Sequence, residues 1–152
     1  MPAIRRATVS WEGDVLSGKG TVSAVSSGAF SSLPVTWGSR TENPDGRTSP
    51  EELVAAAHAS CYSMALSADL GRAGSPPESL DVDCQVTFDR IDGKWSVVSS
   101  ALTVRGCVPG ISAERFAEIA EGAKEGCPIS RALKGNVALS VTAHLESSVA
   151  AG

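Results

Sequence analysis

Nowhere does the sequence carry a run of lysine and arginine interleaved with aromatics, and 13 Lys and Arg against 17 Asp and Glu leave a net charge of −4. A phosphate backbone therefore finds no basic field here, which argues against nucleic acid as a partner. Missing too is the apolar segment of a secretory leader, because Arg5 and Arg6 are followed by Thr8, Ser10, Glu12 and Asp14 where that segment belongs. The expectation is a cytoplasmic chain. A membrane span is lacking as well: the most apolar stretch, Leu53 to Leu70, is rich in Ala and Ser and holds His58 and Asp69, so it reads as a buried soluble helix. The four cysteines, Cys61, Cys84, Cys107 and Cys127, include no CxxC pair and no His at metal-ligand spacing, which leaves a zinc site without support. In a reducing compartment they are thiols, and a disulfide among them belongs to a reaction more than to the scaffold.

What is present suits one globular domain. A chain of 152 residues that is 42% hydrophobic and 20% charged can bury a core without staples. We expect a single domain over residues 1–146, with 147–152 as a flexible tail.

The first third reads as three strands. Ala7, Val9 and Trp11 alternate with polar neighbours, a Gly18-Lys19-Gly20 turn leads into Thr21 to Val25, and a third run ends near Trp37. A polar loop from Gly38 to Thr48 follows, with Asn43-Pro44 and Asp45-Gly46 as turn pairs. Ser49 as N-cap, Pro50 at the first helical position and Glu52 three residues after the cap then announce a long helix to about Leu70. Being apolar nearly all round, this helix is expected at the centre of the fold. Leu80, Val82, Cys84, Val86 and Phe88 alternate with polar residues as a half-buried strand, and Asp92-Gly93 turns it into a second, from Trp95 to Arg105. A helix from Ser112, a short one from Cys127-Pro128 and a last strand through Val137, Leu139 and Val141 complete a β-β-β-α-β-β-α-α-β order, an α+β pattern.

Cysteine reacts as the thiolate, so surroundings decide between the four. Cys84 lies on the apolar phase of its strand and reads as a small core residue. Cys107 sits at a strand end before Val108-Pro109-Gly110 and reads as a turn residue. Cys127, at the start of a helix with proline behind it, points its sulfur at unpaired N–H groups that favour a thiolate, although an inert cap would look the same. Cys61 lies in the apolar helix, where burial alone raises its pKa. His58, one turn earlier, is either an adjacent base or a hydrogen-bonded core histidine. Glu52 is accounted for by the capping box, whereas Glu51 is free for other work. It precedes Cys61 by ten residues, about 15 Å along a helix, so a joint role for the two points to a second subunit.

Ser49-Pro50-Glu51-Glu52-Leu53, Ala55-Ala56-Ala57-His58-Ala59-Ser60-Cys61, Ser63-Met64-Ala65-Leu66 and Gly126-Cys127-Pro128-Ile129-Ser130 together resemble the family of osmotically inducible protein C and the organic hydroperoxide resistance proteins (OsmC/Ohr). Trp11-Glu12-Gly13-Asp14, Gly18 to Ser23, Ser39-Arg40 and Val108 to Ile111 extend the likeness over nearly the whole chain and favour the osmotically inducible branch. The resemblance implies an OsmC-like intertwined homodimer with active sites at the interface. It implies a thiol peroxidase that reduces organic hydroperoxides, with Cys61 as the attacking cysteine, Cys127 as the resolving one, and Arg40 and Glu51 as their charged partners; His58 stays in the core or behind the site. It further implies an external dithiol or lipoyl-bearing reductant and no metal or bound organic cofactor. Cys84 and Cys107 depart from the family pattern and inherit no role. Two other functions fit the residues: a Cys–His acyl-transfer enzyme using Cys61 and His58, for which no orienting acid or oxyanion loop is evident, and a redox-inactive dimer that binds an apolar ligand.

Overall fold

The computed structural model describes residues 1–146; the tail expected over 147–152 lies outside the described residues. The chain is an α+β protein that divides into two compact units, residues 1–53 and the remainder from Val54. No helix among the described residues is long and apolar enough to cross a membrane.

The first unit is an antiparallel meander of β1 (Ala7–Glu12), β2 (Lys19–Ala24) and β3 (Leu33–Val35), in that order across the sheet. Val9 faces Val22 and Trp11 faces Gly20 across the first pair. A Cβ at position 20 would stand 2.7 Å from Trp11 Cε3, so glycine there lets the indole lie against the strand. The turn expected at residues 18 to 20 sits upstream of them. Asp14 makes it: its Oδ1 accepts the Ser17 N–H at 2.8 Å and its carbonyl accepts the Gly18 N–H at 2.8 Å, while Gly13 takes a φ of +92°. Lys19 and Gly20 are therefore already strand.

The third strand also ends earlier than the sequence suggests, because Thr36 caps a helical turn. Its hydroxyl accepts the Ser39 N–H and its own N–H donates to Ser39 Oγ, each at 3.0 Å, a reciprocal box that opens α1 (Trp37–Thr41). The expected loop thus begins as a helix. Ser39 is buried, with Oγ 2.8 Å from both the Thr36 and Thr48 carbonyl oxygens, which ties α1 to the approach of the next helix.

That helix, α2 (Pro50–Arg72), starts at the expected cap, where Ser49 Oγ accepts the Glu52 N–H at 3.1 Å. The return half of the box is replaced. Glu52 Oε1 accepts from the Thr48 hydroxyl at 2.8 Å, since Thr48 is itself fixed by its N–H to the Pro34 carbonyl at 2.9 Å. At the other end Gly74 adopts a φ of +83° and the Ser75 N–H closes on the Leu70 carbonyl at 2.9 Å.

The second unit forms around one face of α2. His58, Tyr62, Leu66 and Leu70, four residues apart, are each fully buried, while Ala56, Ala57, Ser60 and Met64 on other faces are exposed. Strands β4 (Ser79–Ile91) and β5 (Lys94–Cys107) form a hairpin through Asp92 (φ 51°) and Gly93 (φ 78°), the positive pair that a two-residue turn requires. The last strand, β6 (Ala138–Leu145), lies parallel to β5, giving the order β4-β5-β6. A parallel return needs a crossover, and α3 (Ala113–Gly126) and α4 (Pro128–Leu133) supply it. Capped by Ser112, α3 turns Phe116, Ile119, Ala120 and Ala123 onto Tyr62, Leu66, Leu102 and Val104, and the Tyr62 hydroxyl donates to the Ala120 carbonyl at 2.6 Å.

Phe116 also defines a close approach between α3 and β5. A methyl group at Gly106 would come within 2.7 Å of its Cε1, and the fully buried ring has no open direction to leave by. Gly106→Ala is expected to lower stability by about 1–3 kcal/mol through overpacking, read as a lower urea midpoint with unchanged slope.

Candidate active site

Cys61 and Cys127 come together in the second unit. Cys61 stands on α2, half-buried against the core, and Cys127 is the N-cap of α4 with no exposed surface. Pro128 follows at the first helical position, so the cap geometry leaves Cys127 Sγ to accept the Ser130 N–H at 3.4 Å. The two thiols are free and neighbour each other, and each feels the other and the Ile129 N–H in its acidity.

Their acidities part in opposite directions. Burial pushes Cys61 up; the Ile129 N–H opposes this, and the neighbouring Cys127 sulfur adds to it. Burial acts on Cys127 too, but there it is outweighed by the Ser130 hydroxyl, the Ser130 N–H, the Cys61 thiol and the Ile129 N–H, which together hold it below the ordinary thiol value.

His58 touches neither sulfur through its ring nitrogens. Nδ1 lies 2.6 Å from Ser100 Oγ and Nε2 lies 2.7 Å from Ser130 Oγ, so a base role toward Cys61, and with it the acyl-transfer pairing, finds no geometry. Ser130 therefore joins the histidine to Cys127, through its Oγ on one side and its N–H on the other. At the far end Cys84 Sγ is 3.2 Å from Ser100 Oγ and 3.8 Å from His58 Nδ1. Cys84 packs against the core as its strand phase indicates, yet it also ends a buried polar chain that reading it as a plain core residue overlooks. Ser100 and Ser130 are the residues the sequence reading missed. A serine on the inward phase of a strand, opposite a histidine-bearing apolar helix, was the available signal. Cys107 closes β5 instead of standing in the turn, and donates to Glu78 Oε2 at 3.3 Å.

Arg40 and Glu51 come together in the first unit. Arg40 Nε donates to Glu51 Oε1 at 2.6 Å and to Oε2 at 3.1 Å, and its guanidinium lies 5.7 Å from the Trp37 ring centre. The Glu51 side chain is only 8% exposed, so its charge is matched by arginine and not by water. Their elements explain the pairing: α1 presents Arg40 and the first turn of α2 presents Glu51 beside it, bridged by the Ser39 contact to Thr48. Beside them opens an apolar cavity of about 420 Å³ lined by Val9, Trp11, Val22, Val35, Trp37 and Leu53, among others, with Arg40 as its charged lining residue. Among the described residues no three His, Cys, Asp or Glu side chains are grouped to hold a metal ion.

The family model for OsmC-like protein matches residues 43–142. The chain is 44% identical to the peroxiredoxin OsmC of Escherichia coli K12 over 135 residues, 89% of this chain and 93% of that one. It is 29% identical over 96 residues to an organic hydroperoxide resistance protein of Xanthomonas axonopodis pv. citri, covering 62% of this chain and 66% of that one. Among solved structures, the organic hydroperoxide resistance protein OhrB of Bacillus subtilis shares the fold with a TM-score of 0.70 at 24% identity, over 93% of this chain and 98% of that one.

Burial holds the His58 pKa below its ordinary value of 6.5. The unfolded chain therefore binds more protons than the folded one from pH 6.5 downward, and stability falls with pH in that window before the carboxylates titrate. Urea midpoints measured between pH 7 and pH 5 should decline for the wild type and decline less for His58→Gln.

Proposed function

The chain belongs to the OsmC-like protein family, and on that premise we propose that it is a cysteine-based peroxidase that reduces organic hydroperoxides to alcohols in oxidative and osmotic stress defence. One observation carries the reading: two free thiols that neighbour each other, one half-exposed on a helix and the other fully buried at a helix start. Only the half-exposed sulfur can meet a bulky substrate, so Cys61 attacks and Cys127 resolves.

In this mechanism the Cys61 thiolate attacks the terminal peroxide oxygen. An S–O bond forms, the O–O bond breaks, and the alkoxide leaves with a proton as the alcohol. Cys127 then displaces the oxygen of the Cys61 sulfenic acid, closing a disulfide and releasing water. A dithiol or lipoyl-bearing partner reduces that disulfide. Since burial and Cys127 both disfavour a charge on Cys61, attack needs a cation nearby, and Arg40 is our candidate, oriented by Glu51 at the interface of an intertwined homodimer. Support for such a dimer comes from apolar side chains left exposed on this chain: Val9 and Trp11 on β1 and Met64 on α2. The cavity beside Arg40 suits the organic part of the substrate. The chain acts in the cytoplasm, and the two units work as one domain.

The same cavity favours a second reading, a redox-inactive dimer that holds an apolar ligand. Stoichiometric cumene hydroperoxide separates the two: the peroxidase forms a Cys61–Cys127 disulfide, found by peptide mapping, whereas unmodified sulfur or a Cys84–Cys107 bond removes the mechanism. Cys61→Ser should abolish turnover, and Cys127→Ser should consume one equivalent of peroxide and then over-oxidise at Cys61.

Arg40→Ala should raise the Cys61 pKa, read from the pH dependence of alkylation at that residue, and slow peroxide consumption, with Arg40→Lys restoring only part because it lacks the planar fork. Unchanged alkylation and rate in Arg40→Ala would leave the arginine without a catalytic part.

A further inference from the structure

The buried chain from Cys84 to Cys127 has a direction, and the direction follows from counting protons. A neutral imidazole donates through one nitrogen and accepts through the other, and each serine hydroxyl has one proton to give. Burial keeps His58 neutral, because it lowers the imidazole pKa. Two orders of donation are then available. In the first, Cys84 S–H donates to Ser100 Oγ, Ser100 donates to His58 Nδ1, His58 Nε2–H donates to Ser130 Oγ, and the Ser130 hydroxyl proton is left to turn toward Cys127 Sγ, which the Ser130 N–H already reaches at 3.4 Å. In the second every arrow reverses, and the chain must end with Ser100 donating to the Cys84 sulfur. Cys84 is pushed toward the protonated thiol by burial, which suits it as the terminal donor of the first order. That order alone aims a hydroxyl proton at the Cys127 sulfur, where a negative charge strengthens the bond.

We propose that His58 is a positioning residue for the resolving thiol: held between Ser100 and Ser130 and backed by the Cys84 thiol, it fixes the Ser130 hydroxyl as a donor to the Cys127 sulfur and keeps that sulfur ready to close the disulfide. This rests on the assignment of Cys127 as the resolving cysteine. In the step served, the Cys127 thiolate supplies an electron pair to the Cys61 sulfenic sulfur, the S–S bond forms and the S–O bond breaks. The departing hydroxide takes a proton from solvent at the half-exposed Cys61 to become water. Cys127 is oxidised and the sulfenic sulfur reduced, with the hydroperoxide as the original oxidant. Once the charge has gone into the disulfide, Ser130 has no anion to hold.

The titratable groups acting on this chain are Cys61 and Tyr62 on α2 and Asp83 on β4, whose charge adds to burial in holding Cys84 protonated. Burial raises Tyr62 out of range, helped by Glu121 of α3, by Cys127 and by Asp69 of α2, so it stays protonated throughout. The test is rapid-quench mass spectrometry on the full chain after one equivalent of cumene hydroperoxide, following sulfenic acid formation and disulfide closure separately across pH. Ser130→Ala and His58→Leu should each move the midpoint of the closure profile up by about one unit, with sulfenic acid formation no slower. Below the midpoint thiolate falls about tenfold and nucleophilicity rises in part compensation, so closure should slow roughly threefold. His58→Gln, whose amide N–H can reach Ser130, should recover part of the shift. In a Ser130→Ala background, His58→Leu should add nothing, a non-additivity that a merely structural histidine would not produce. Wild-type closure midpoints in both single variants, or shifts that add, would overturn the inference. Should His58→Leu fail to fold, Ser130→Ala decides alone, an unshifted midpoint overturning it. A wild-type protein that never forms the Cys61–Cys127 bond instead sinks the peroxidase reading beneath it.

Discussion

A helix that begins on a cysteine, set against another cysteine on a helix with one buried face, is the constraint on which the chemistry of this fold depends. Two neighbouring sulfurs in a poorly solvated place oppose each other's ionisation, and their environments push their acidities apart, Cys61 up and Cys127 down. The start of α4 draws the charge to Cys127 with backbone N–H groups, which are fixed in place and need no reorganisation when the charge moves. Cys61 takes only the Ile129 N–H from that helix start, and burial outweighs it. Its access to solvent and its acidity therefore pull in different directions, and under the proposed peroxidase reading it depends on a charged group supplied to it.

The Arg40–Glu51 pair is our proposed source of that charge. An arginine that is largely buried beside a carboxylate with little exposed surface is expensive to hold unless the geometry is good, and contacts of 2.6 and 3.1 Å from a single Nε meet that demand. A carboxylate taking Nε fixes the plane of the guanidinium. The positive charge is thereby aimed, whereas a lysine at the same place would keep its charge and lose its orientation.

Much of this was legible in the residues. Ser49-Pro50 announces α2 because a cap, a pre-set φ and an apolar run are all local, and the alternation from Leu80 to Phe88 yields β4 for the same reason. What escaped depends on contacts between distant segments. The return half of the α2 box goes to Thr48 because Thr48 is pinned to Pro34, which no window around residue 52 contains. α1 was lost in a stretch read as polar loop, since Thr36 and Ser39 make a capping box whose second member is serine and not the usual acid. Parallel pairing of β5 with β6 leaves no trace in either strand alone. The likeness of motifs put Cys61, Cys127, Arg40 and Glu51 forward together, but it could not say that Arg40 and Glu51 meet within one chain.

Cys84 shows how a correct reading of burial can still miss a role. Alternation places it on the inward phase of β4, and a thiol there passes as a small apolar residue. Ser100, across the hairpin on β5, faces the same interior from the fully buried side, and a hydroxyl in that position needs both an acceptor and a donor. His58 can meet only one of those needs at a time, because its second nitrogen is engaged by Ser130. Alanine or valine at 84 would fill the space and leave Ser100 without a group that can switch between giving and taking a proton; a thiol does both, weakly, without introducing a charge. The polar chain is satisfied along its whole length because its last member is cysteine, so the residue that looks most like inert core also completes the bonding of the histidine that stands behind Cys127.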